Sequence, residues 1–227
     1  MKSILKQFLN ILYSLLLIKY QITDGLWSNR FRFCSLNYSK SNKLHSKRSS
    51  FVKSSVNLKG NLNVVKLQQV SLMNSSIYID GSNNLIEVDQ NTHLNNLNII
   101  IKGSDCKIKI GKNTTFFGGR VVNEGLENII EVGNDCLFSD QVEIWSSDTH
   151  PIYNADNVQI NTDKPIYIGN KVWVGCRASI LKGVKISDGA VLGFGTIATK
   201  DVPKQTVSVG FPNKVIIENI KWERDYI

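Results

Sequence analysis

The fold is decided by residues 168–202, which read IGNKVWVGCRASILKGVKISDGAVLGFGTIATKDV. An aliphatic residue or alanine returns there at every sixth position: Ile168, Val174, Ile180, Ile186, Leu192 and Ala198. A second small or β-branched residue follows four positions after each: Val172, Ala178, Val184, Ala190, Thr196 and Val202. A period of six matches neither an α-helix nor an isolated strand. It is typical of short strands that are joined by tight corners and stacked in layers, so the stretch predicts a hexapeptide β-helix.

Further motifs extend the pattern over residues 103–217. They are Asp148-Thr149-His150-Pro151, Lys164-Pro165-Ile166-Tyr167-Ile168-Gly169-Asn170, Val172-Trp173-Val174-Gly175, Thr199-Lys200-Asp201-Val202-Pro203 and Gly210-Phe211-Pro212-Asn213-Lys214-Val215-Ile216. In this order they resemble the hexapeptide-repeat acyltransferases, and among these the sugar O-acetyltransferase branch with its galactoside, maltose and capsule-modifying members. The resemblance implies a mainly β fold, a left-handed parallel β-helix of triangular cross-section.

A longer repeat organises the middle of the chain. Glycine-led segments begin at equal intervals, at Gly81, Gly103 and Gly125, and each continues into an alternating strand such as Ile86-Glu87-Val88. This alternation predicts that the aliphatic side chains face inward and the charged ones outward. Three six-residue strands fill about 18 residues of a triangular coil, and the glycine interval exceeds this by about four residues. We therefore expect the extra residues at one corner, where the glycine-led turns lie.

The predicted chain has three parts. Residues 1–54 form a basic N-terminal segment, with an amphipathic helix over residues 1–22 and then an irregular connection that has room for a second short helix. Residues 55–209 form the β-helix, from which residues 145–167 are extruded as a loop because the six-residue register is interrupted there. Functional residues favour such loops on rigid scaffolds. Residues 210–227 form a C-terminal cap, built from a short helix or strand.

The formal net charge of +8 belongs to one end of the chain. Residues 1–53 hold ten lysines and arginines against one acid, Asp24, while the rest holds 17 bases and 18 acids. A near-neutral solenoid does not indicate nucleic-acid binding, so we predict no nucleic-acid partner. The N-terminal helix either packs on the open end of the solenoid or lies at a membrane surface, and its apolar run is too short to span a bilayer.

Neither metal nor disulfide chemistry is indicated. The sequence has no C-x-x-C motif and no Cys/His cluster among its four cysteines, Cys34, Cys106, Cys136 and Cys176. We therefore predict no zinc site and no disulfide framework, which fits a reducing, cytoplasmic setting. A carbonic-anhydrase-like zinc enzyme on this fold would need three histidines on one metal. The three histidines, His45, His93 and His150, do not have the spacing of zinc ligands, which argues against such an enzyme.

His150 is the candidate catalytic base. It begins the extruded loop in the Thr-His-Pro context of the family, and the resemblance implies that it deprotonates the acceptor hydroxyl for direct attack on acetyl-CoA. An imidazole titrates at about pH 6.5 and can take that proton in the transition state. Such a base typically raises the rate by about 10²–10⁴-fold. Asp148 lies two residues earlier and is the second candidate catalytic residue: it could orient the imidazole or bind the acceptor, and the alternative is an ordinary turn aspartate. A backbone N–H of a neighbouring coil is expected to hold the oxyanion.

Acceptor and donor binding are assigned by the same resemblance. The candidate acceptor-binding residues are Trp145, Trp173 and Asn123. Trp173 matches a family position that lines the acyl and acceptor site, whereas Trp145 either stacks on a sugar face or covers the base of the loop. Small side chains let the pantetheine arm of acetyl-CoA approach the backbone, and flexible lysines suit its phosphates. The candidate donor-binding residues are Trp173, Gly175, Ala178, Gly193, Gly195, Thr196, Lys200 and Lys214.

The resemblance therefore implies an acetyl-CoA-dependent O-acetyltransferase. Its expected acceptor is a carbohydrate hydroxyl, on a capsular or other surface polysaccharide, a class that includes polyanions. The alternatives are an N-acyltransferase of an amino sugar or nucleotide-sugar on the same fold, and a non-catalytic structural solenoid. The family also implies a homotrimer with the active site between subunits. We expect a cytoplasmic enzyme, and residues 1–53 are the candidate segment for association with the inner membrane face, if their helix does not pack on the solenoid.

Overall fold

A computed structural model describes residues 29–225 as a parallel β-solenoid of about eight turns. Three sheets form its walls, with ten, eight and seven strands. The predicted mainly β solenoid is confirmed. The predicted helix over residues 1–22 lies outside the described residues. Within residues 29–225, no helix is long and apolar enough to cross a membrane.

Successive turns contribute their strands to the three sheets in the same order. The ten-stranded sheet comprises β1 (Arg30–Arg32), β4 (Ser50–Val52), β7 (Val70–Met73), β10 (Thr92–Asn95), β13 (Thr115–Phe116), β16 (Leu137–Phe138), β19 (Trp173–Val174), β22 (Val191–Leu192), β24 (Val207–Val209) and β25 (Lys214–Ile217). The eight-stranded sheet comprises β2 (Ser35–Tyr38), β5 (Ser55–Lys59), β8 (Ser76–Asp80), β11 (Leu97–Ser104), β14 (Gly119–Leu126), β17 (Val142–Trp145), β20 (Ser179–Leu181) and β23 (Ile197–Ala198). The seven-stranded sheet comprises β3 (Lys43–Lys47), β6 (Val64–Gln68), β9 (Leu85–Val88), β12 (Lys107–Ile110), β15 (Ile129–Val132), β18 (Ile166–Ile168) and β21 (Lys185–Ile186).

The core is a stack of equivalent side chains, one from each turn. In the ten-stranded sheet, parallel register aligns one inward position from turn to turn: Phe31, Phe51, Leu72, Leu94, Phe116, Phe138, Val174 and Leu192. The rings of Phe116 and Phe138 stack at a centroid distance of 4.0 Å. Aromatic pairs add about 0.5–1.5 kcal/mol beyond the burial of their area. Alternation along each strand sends the intervening polar residues outward, as the sequence predicts.

The turn length changes along the solenoid. Ile180 pairs with Ala198, so that turn is three hexapeptides long, whereas Ile99 pairs with Val121 across a longer turn. The extra residues of the longer turns lie where the chain passes from the eight-stranded to the seven-stranded sheet, in the glycine-led turns, as predicted. We call this edge of the solenoid the loop corner; it contains residues 81–84, 103–106, 125–128 and 146–165. Much of the extra length is strand, because β11 and β14 are each eight residues long.

The prediction of an irregular connection up to residue 54 is wrong for its described part. The solenoid begins at Arg30, and β1 to β4 complete a first turn and begin a second before Ser55. Leu44 and Phe51 are fully buried there. Lys, Arg and Ser fill the outward positions, and the first turns are not whole multiples of six residues, so the inward positions are hard to see in the sequence.

The C-terminal segment takes the strand form of the predicted cap. β25 pairs antiparallel with β24 and exposes three apolar side chains, those of Val215, Ile216 and Ile217. The chain then lies back along the solenoid. The indole N–H of Trp222 donates to the carbonyl of Lys171 at 2.7 Å, and Arg224 donates to the carbonyls of Asn113 and Cys136.

Candidate active site

A loop projects from the loop corner after β17 and returns at β18. It is built like a short hairpin. Tyr153 and Gln159 form an antiparallel bridge, and the amide of Ile160 donates to the carbonyl of Ile152 at 2.9 Å. Four apolar side chains of this loop are more than half exposed: Ile152, Tyr153, Val158 and Ile160.

The loop leaves the solenoid at a rigid place. Buried asparagines stack along the corner: the amide of Asn84 donates to the side-chain oxygen of Asn63, and the amide of Cys106 donates to that of Asn84. The glycines stack too. A Cβ atom at Gly103 would collide with the carbonyl oxygen of Gly125, and one at Gly125 would collide with the carboxylate of Asp163 in the loop. Positive φ values at both positions also favour glycine. The loop therefore continues a column that earlier turns have built.

His150 lies at the root of this loop and is exposed. Its amide donates to the carbonyl of Asp148 at 2.7 Å, and its own carbonyl accepts a hydrogen bond from the side-chain amide of Asn161 at 2.8 Å. The imidazole has no hydrogen-bond partner among residues 29–225. Thr149, directly before it, has a φ of 67°. A β-branched residue rarely adopts this left-handed conformation, which costs about 1–2 kcal/mol and is found preferentially at functional sites.

Within residues 29–225, the carboxylate of Asp148 contacts Lys182 and Asn161 and not the imidazole of His150. The carboxylate accepts hydrogen bonds from the ammonium of Lys182 at 2.5 Å and from the side-chain amide of Asn161 at 3.0 Å. The Lys182 ammonium holds the pKa of Asp148 below its usual value, with a smaller contribution from Asn161. Of the three roles considered for Asp148, this contact pattern corresponds to a structural one in the loop. No sequence pattern signals Lys182, which lies 34 residues further on.

A groove of about 330 Å³ lies beside the root of the loop. Its walls are Arg120, Glu143, Trp145, Ser147, Asp148, Thr149, Ser179 and Leu181. The Trp145 indole N–H donates to Glu143 at 2.7 Å, and the Arg120 guanidinium lies 5.1 Å from the centre of the Trp145 indole. Arg120 also pairs with Glu143 at 2.9 Å. Trp145 is therefore held rigidly in the wall, next to the residues that precede His150.

A larger groove, of about 690 Å³, runs along the outer surface of the seven-stranded sheet. Its lining alternates in charge, as in the ion pair between Lys66 and Glu87 at 3.1 Å. None of the residues that the sequence predicts for catalysis or binding lines it. Size alone therefore does not mark the site, and the smaller groove is the one whose lining includes two predicted site residues, Trp145 and Asp148.

Asn123 is not available to an acceptor. It is fully buried, and its amide donates to the carbonyls of Lys107 and Asn128, both at 3.0 Å. Its oxygen accepts a hydrogen bond from the hydroxyl of Ser146 at 2.8 Å. The side chain thus fastens the loop corner from inside, which corrects its prediction as an acceptor-binding residue. A buried amide must find hydrogen-bond partners, and here they are all backbone or serine groups of the corner and the neighbouring strand.

Trp173 lies on a different wall from His150. It projects from the ten-stranded sheet, opposite the loop corner in a triangular cross-section. The side chain is 39% exposed, and its ring lies 6.1 Å from that of Trp222 in the C-terminal segment. One chain therefore does not bring Trp173 and His150 together.

The predicted donor-binding residues gather along one edge. Gly175, Ala178, Gly193, Gly195 and Thr196 lie where the chain passes from the ten-stranded to the eight-stranded sheet, which we call the small-residue corner. Ala178 and Thr196 are fully buried, so their small side chains serve the core. Gly195 has a φ of 66°, and a Cβ atom there would meet no atom within 4 Å. The surface at Gly195 is therefore open to a ligand.

Asn213 brings the two predicted lysines into one region. Its side-chain oxygen accepts hydrogen bonds from the amides of Thr199 at 3.0 Å and Lys200 at 3.1 Å, and Lys214 is its neighbour in sequence. Both lysines are exposed. In residues 29–225 no three His, Cys, Asp or Glu side chains come together as a metal site, and the four cysteines are free thiols.

Two curated relatives are similar to part of the chain. A putative acetyltransferase of Schizosaccharomyces pombe is 40% identical over 89 residues, which is 38% of this chain and 42% of that protein. The polysialic acid O-acetyltransferase of Escherichia coli O1:K1 / APEC is 38% identical over 92 residues, 40% of this chain and 30% of that protein. The chain thus spans less than half the length of these relatives. No family model matches the sequence.

Two solved structures match nearly the whole fold. The polySia-specific acetyltransferase NeuO has a TM-score of 0.70 and 30% identity, over 87% of this chain and 88% of that one. The polysialic acid O-acetyltransferase OatWY has a TM-score of 0.71 and 28% identity, over 88% and 92% of the two chains. The solenoid is thus a scaffold that this chain shares with acetyltransferases. The chain belongs to the hexapeptide-repeat acyltransferase family.

Proposed function

We propose that this chain is an acetyl-CoA-dependent O-acetyltransferase that acts on a hydroxyl of a carbohydrate, with His150 as general base. The observation that carries the proposal is the placement of His150. It stands exposed at the strained root of a loop on a rigid corner, beside a groove that has a tryptophan in its wall. Its imidazole is free of partners among residues 29–225 and can accept a proton from a bound hydroxyl.

The chemistry is a direct transfer. His150 takes the proton of the acceptor hydroxyl while its oxygen attacks the thioester carbonyl of acetyl-CoA, and a tetrahedral intermediate forms. A backbone N–H of a neighbouring coil holds the negative oxygen. The carbon–sulfur bond then breaks, the ester remains on the sugar, and the thiolate of CoA takes the proton from His150. The step requires neither a covalent enzyme intermediate nor a metal.

Acetyl-CoA is assigned to the small-residue corner. The open surface at Gly195 admits the pantetheine arm close to the backbone, and Lys200 and Lys214 supply two exposed cations in the region of Asn213. A side chain at position 195 would occupy this space. The donor and the general base then lie on different edges of one solenoid, so a second chain must complete the site.

The proposed assembly is a homotrimer with one site at each interface. It is supported by the separation of His150 from Trp173 and by the exposed apolar side chains of the loop, among them Ile152 and Tyr153. Such side chains are expected at an interface. Closed cyclic symmetry repeats one interface around an axis, so each loop meets the ten-stranded wall and small-residue corner of a neighbour.

The proposed acceptor is an acidic surface polysaccharide, such as a capsular one. The two solved structures described above are named for polysialic acid, a polyanionic glycan. Residues 29–79 of this chain contain nine lysines and arginines and no acid. The seven bases among residues 29–53 are all exposed. We also propose that these first coils and the segment before them hold the enzyme at an anionic membrane surface on the cytoplasmic side, where free cysteines are kept reduced.

The proposal is tested with labelled acetyl-CoA and a panel of neutral, amino and acidic glycans. Transfer to a hydroxyl of an acidic glycan is expected, as a base-labile ester. Acetylation of a free amine instead would establish the N-acyltransferase alternative, and an absence of transfer to any glycan would remove the catalytic proposal.

Mixing two inactive variants tests the shared site. His150→Ala and Trp173→Ala chains are refolded together in equal amounts. If His150 of one chain works with Trp173 of the next, random trimers regain up to about a quarter of the wild-type activity, because one interface in four combines two intact residues. Equal mixtures of the doubly substituted chain with wild-type chain serve as the reference. A mixture as inactive as its components would show that each site belongs to one chain.

A further inference from the structure

We propose that Lys182 is a positioning residue: it fixes the loop that presents His150, and acetyl transfer depends on it. This inference rests on the proposed function. Lys182 directly follows β20, one turn beyond the loop, and its side chain is only 17% exposed. An ammonium has three N–H donors. The first reaches the carboxylate of Asp148 at 2.5 Å, and the others reach the carbonyls of Asn161 at 2.9 Å and Thr162 at 3.1 Å.

These three contacts join both limbs of the loop. Asp148 belongs to the outgoing limb, two residues before His150, and Asn161 and Thr162 belong to the returning limb. In the described part of the chain, Lys182 is the only residue outside residues 147–162 that forms a hydrogen bond with that stretch. Between its two ends, the loop is therefore tied to the solenoid through these three hydrogen bonds of Lys182, which we call the clamp.

Asn161 links the Lys182 contacts to the backbone of His150. Its side-chain amide donates to Asp148 at 3.0 Å and to the carbonyl of His150 at 2.8 Å, while its side-chain oxygen accepts a hydrogen bond from the amide of Ile152 at 2.6 Å. The backbone on both sides of the imidazole is thus tied to a group that Lys182 holds.

The strained residue explains why a clamp is needed. A left-handed φ at Thr149 persists only when surrounding contacts hold it. Once Lys182 is gone, the loop can relax and move the imidazole. A misplacement of about 1 Å can cost about 100-fold in rate. Donor binding is assigned to another edge of the solenoid, so its KM is expected to stay unchanged.

The test compares Lys182→Met with Lys185→Met in the full-length protein. Both remove an ammonium from the same turn, but the side chain of Lys185 is exposed and forms no ion pair in the described chain. For Lys182→Met we expect kcat to fall about 10–100-fold with the KM for acetyl-CoA within about twofold. Hydrogen exchange of amides 148–162 should accelerate. Lys185→Met should match wild type in both measurements.

A second variant reaches the same contact from the loop. Asn161→Ala leaves the solenoid untouched and should give a similar fall in kcat, which covers the case in which Lys182→Met does not fold. Adding Asp148→Asn to Lys182→Met should cost little more than Lys182→Met alone, because the two residues act through one contact.

The outcomes separate the two proposals. Wild-type protein without acetyl transfer would overturn the proposed function, and the exchange of amides 148–162 would still report on the clamp. A wild-type kcat and wild-type loop exchange in Lys182→Met would overturn the clamp while the proposed function stands. A rise in the acetyl-CoA KM with kcat unchanged would also overturn it, because Lys182 would then serve the donor.

Discussion

The first coils and the later coils of this solenoid share an interior and differ outside. Residues 29–79 and residues 80–225 both stack aliphatic and aromatic side chains in parallel register, as at Leu72 and Leu94. The first part carries nine bases and no acid, whereas the second carries 15 bases and 18 acids and holds the loop with His150. The inward positions thus specify the fold along the whole chain. The outward positions are free to differ, so the two parts present surfaces of different charge.

The largest effect is expected from removal of the general base, which should remove nearly all turnover and leave the solenoid assembled. His150→Ala is expected to lower kcat by at least about 100-fold, because a general base contributes about 10²–10⁴-fold, mainly in the transition state. Assembly and CoA binding should stay close to wild type. His93→Ala is the control, since His93 is an exposed histidine on β10. Retention of more than about a tenth of the wild-type rate would contradict the assignment of the base. Asp148→Asn should cost less than His150→Ala.

Neutralising lysines of the first coils should weaken membrane binding and leave turnover unchanged. Lys40, Lys43 and Lys47 are exposed, and each Lys near an anionic membrane contributes about 1 kcal/mol of attraction. Their joint replacement by Gln should weaken binding to phosphatidylserine vesicles about 100-fold at low salt, with turnover of a short soluble acceptor unchanged. The matched control replaces Lys107, Lys109 and Lys112, which are exposed in a later turn.

Two outcomes of that experiment would change the proposal. Equal losses of vesicle binding in both triple variants would show that the first coils do not bind membranes more strongly than the later coils. A loss of binding to acidic polysaccharide without a loss of vesicle binding would keep the first coils as a site for the acceptor and would remove their proposed membrane role. Deletion of residues 1–22 belongs to the same series and should lower vesicle binding in a salt-dependent way. Aggregation at every salt concentration would instead favour a helix that caps the solenoid.

Glycines distinguish a stacked corner from an open one. Gly81→Ala puts a methyl group against the carbonyl of Gly103 at a φ of 145°, which should lower the free energy of unfolding by more than about 2 kcal/mol. Gly195→Ala meets open space at a φ of 66° and should cost about 1 kcal/mol. Urea unfolding measures both. Equal losses would mean that close packing at the loop corner contributes nothing beyond the backbone conformation.

The smallest effect expected concerns the thiols. Burial raises the pKa of Cys136 to about 11, and burial also raises the pKa of Cys106. Both thiols therefore stay protonated near neutral pH and should resist iodoacetamide until the protein unfolds. Cys34 and Cys176 are partly exposed and should be alkylated in the native state. Peptide mass spectrometry identifies the modified residues, and rapid modification of Cys136 would contradict the packing of its turn.

Sequence reasoning finds what is periodic and local. The six-residue register, the longer glycine-led turns and the extruded loop follow from side chains that repeat at fixed spacing. The first turn escapes this reasoning because its turn length differs and basic residues crowd its outward positions, although Phe51 points inward like its successors. Contacts between distant residues leave no such pattern. Lys182 meets Asp148 from a later turn, Asn123 turns inward to the backbone, and Trp173 lies on another wall of a triangle.

The loop adds its residues without disturbing the stack. The step in sequence from Ile144 to its partner Ile180 is twice the step from Ile180 to its partner Ala198. The insertion is therefore as long as a full turn, and the strands on either side still meet in register. The solenoid therefore tolerates an inserted segment at this corner without a change in strand pairing. We expect that a different segment at the same corner would leave the solenoid folded as before, provided that it offers hydrogen-bond acceptors to Lys182.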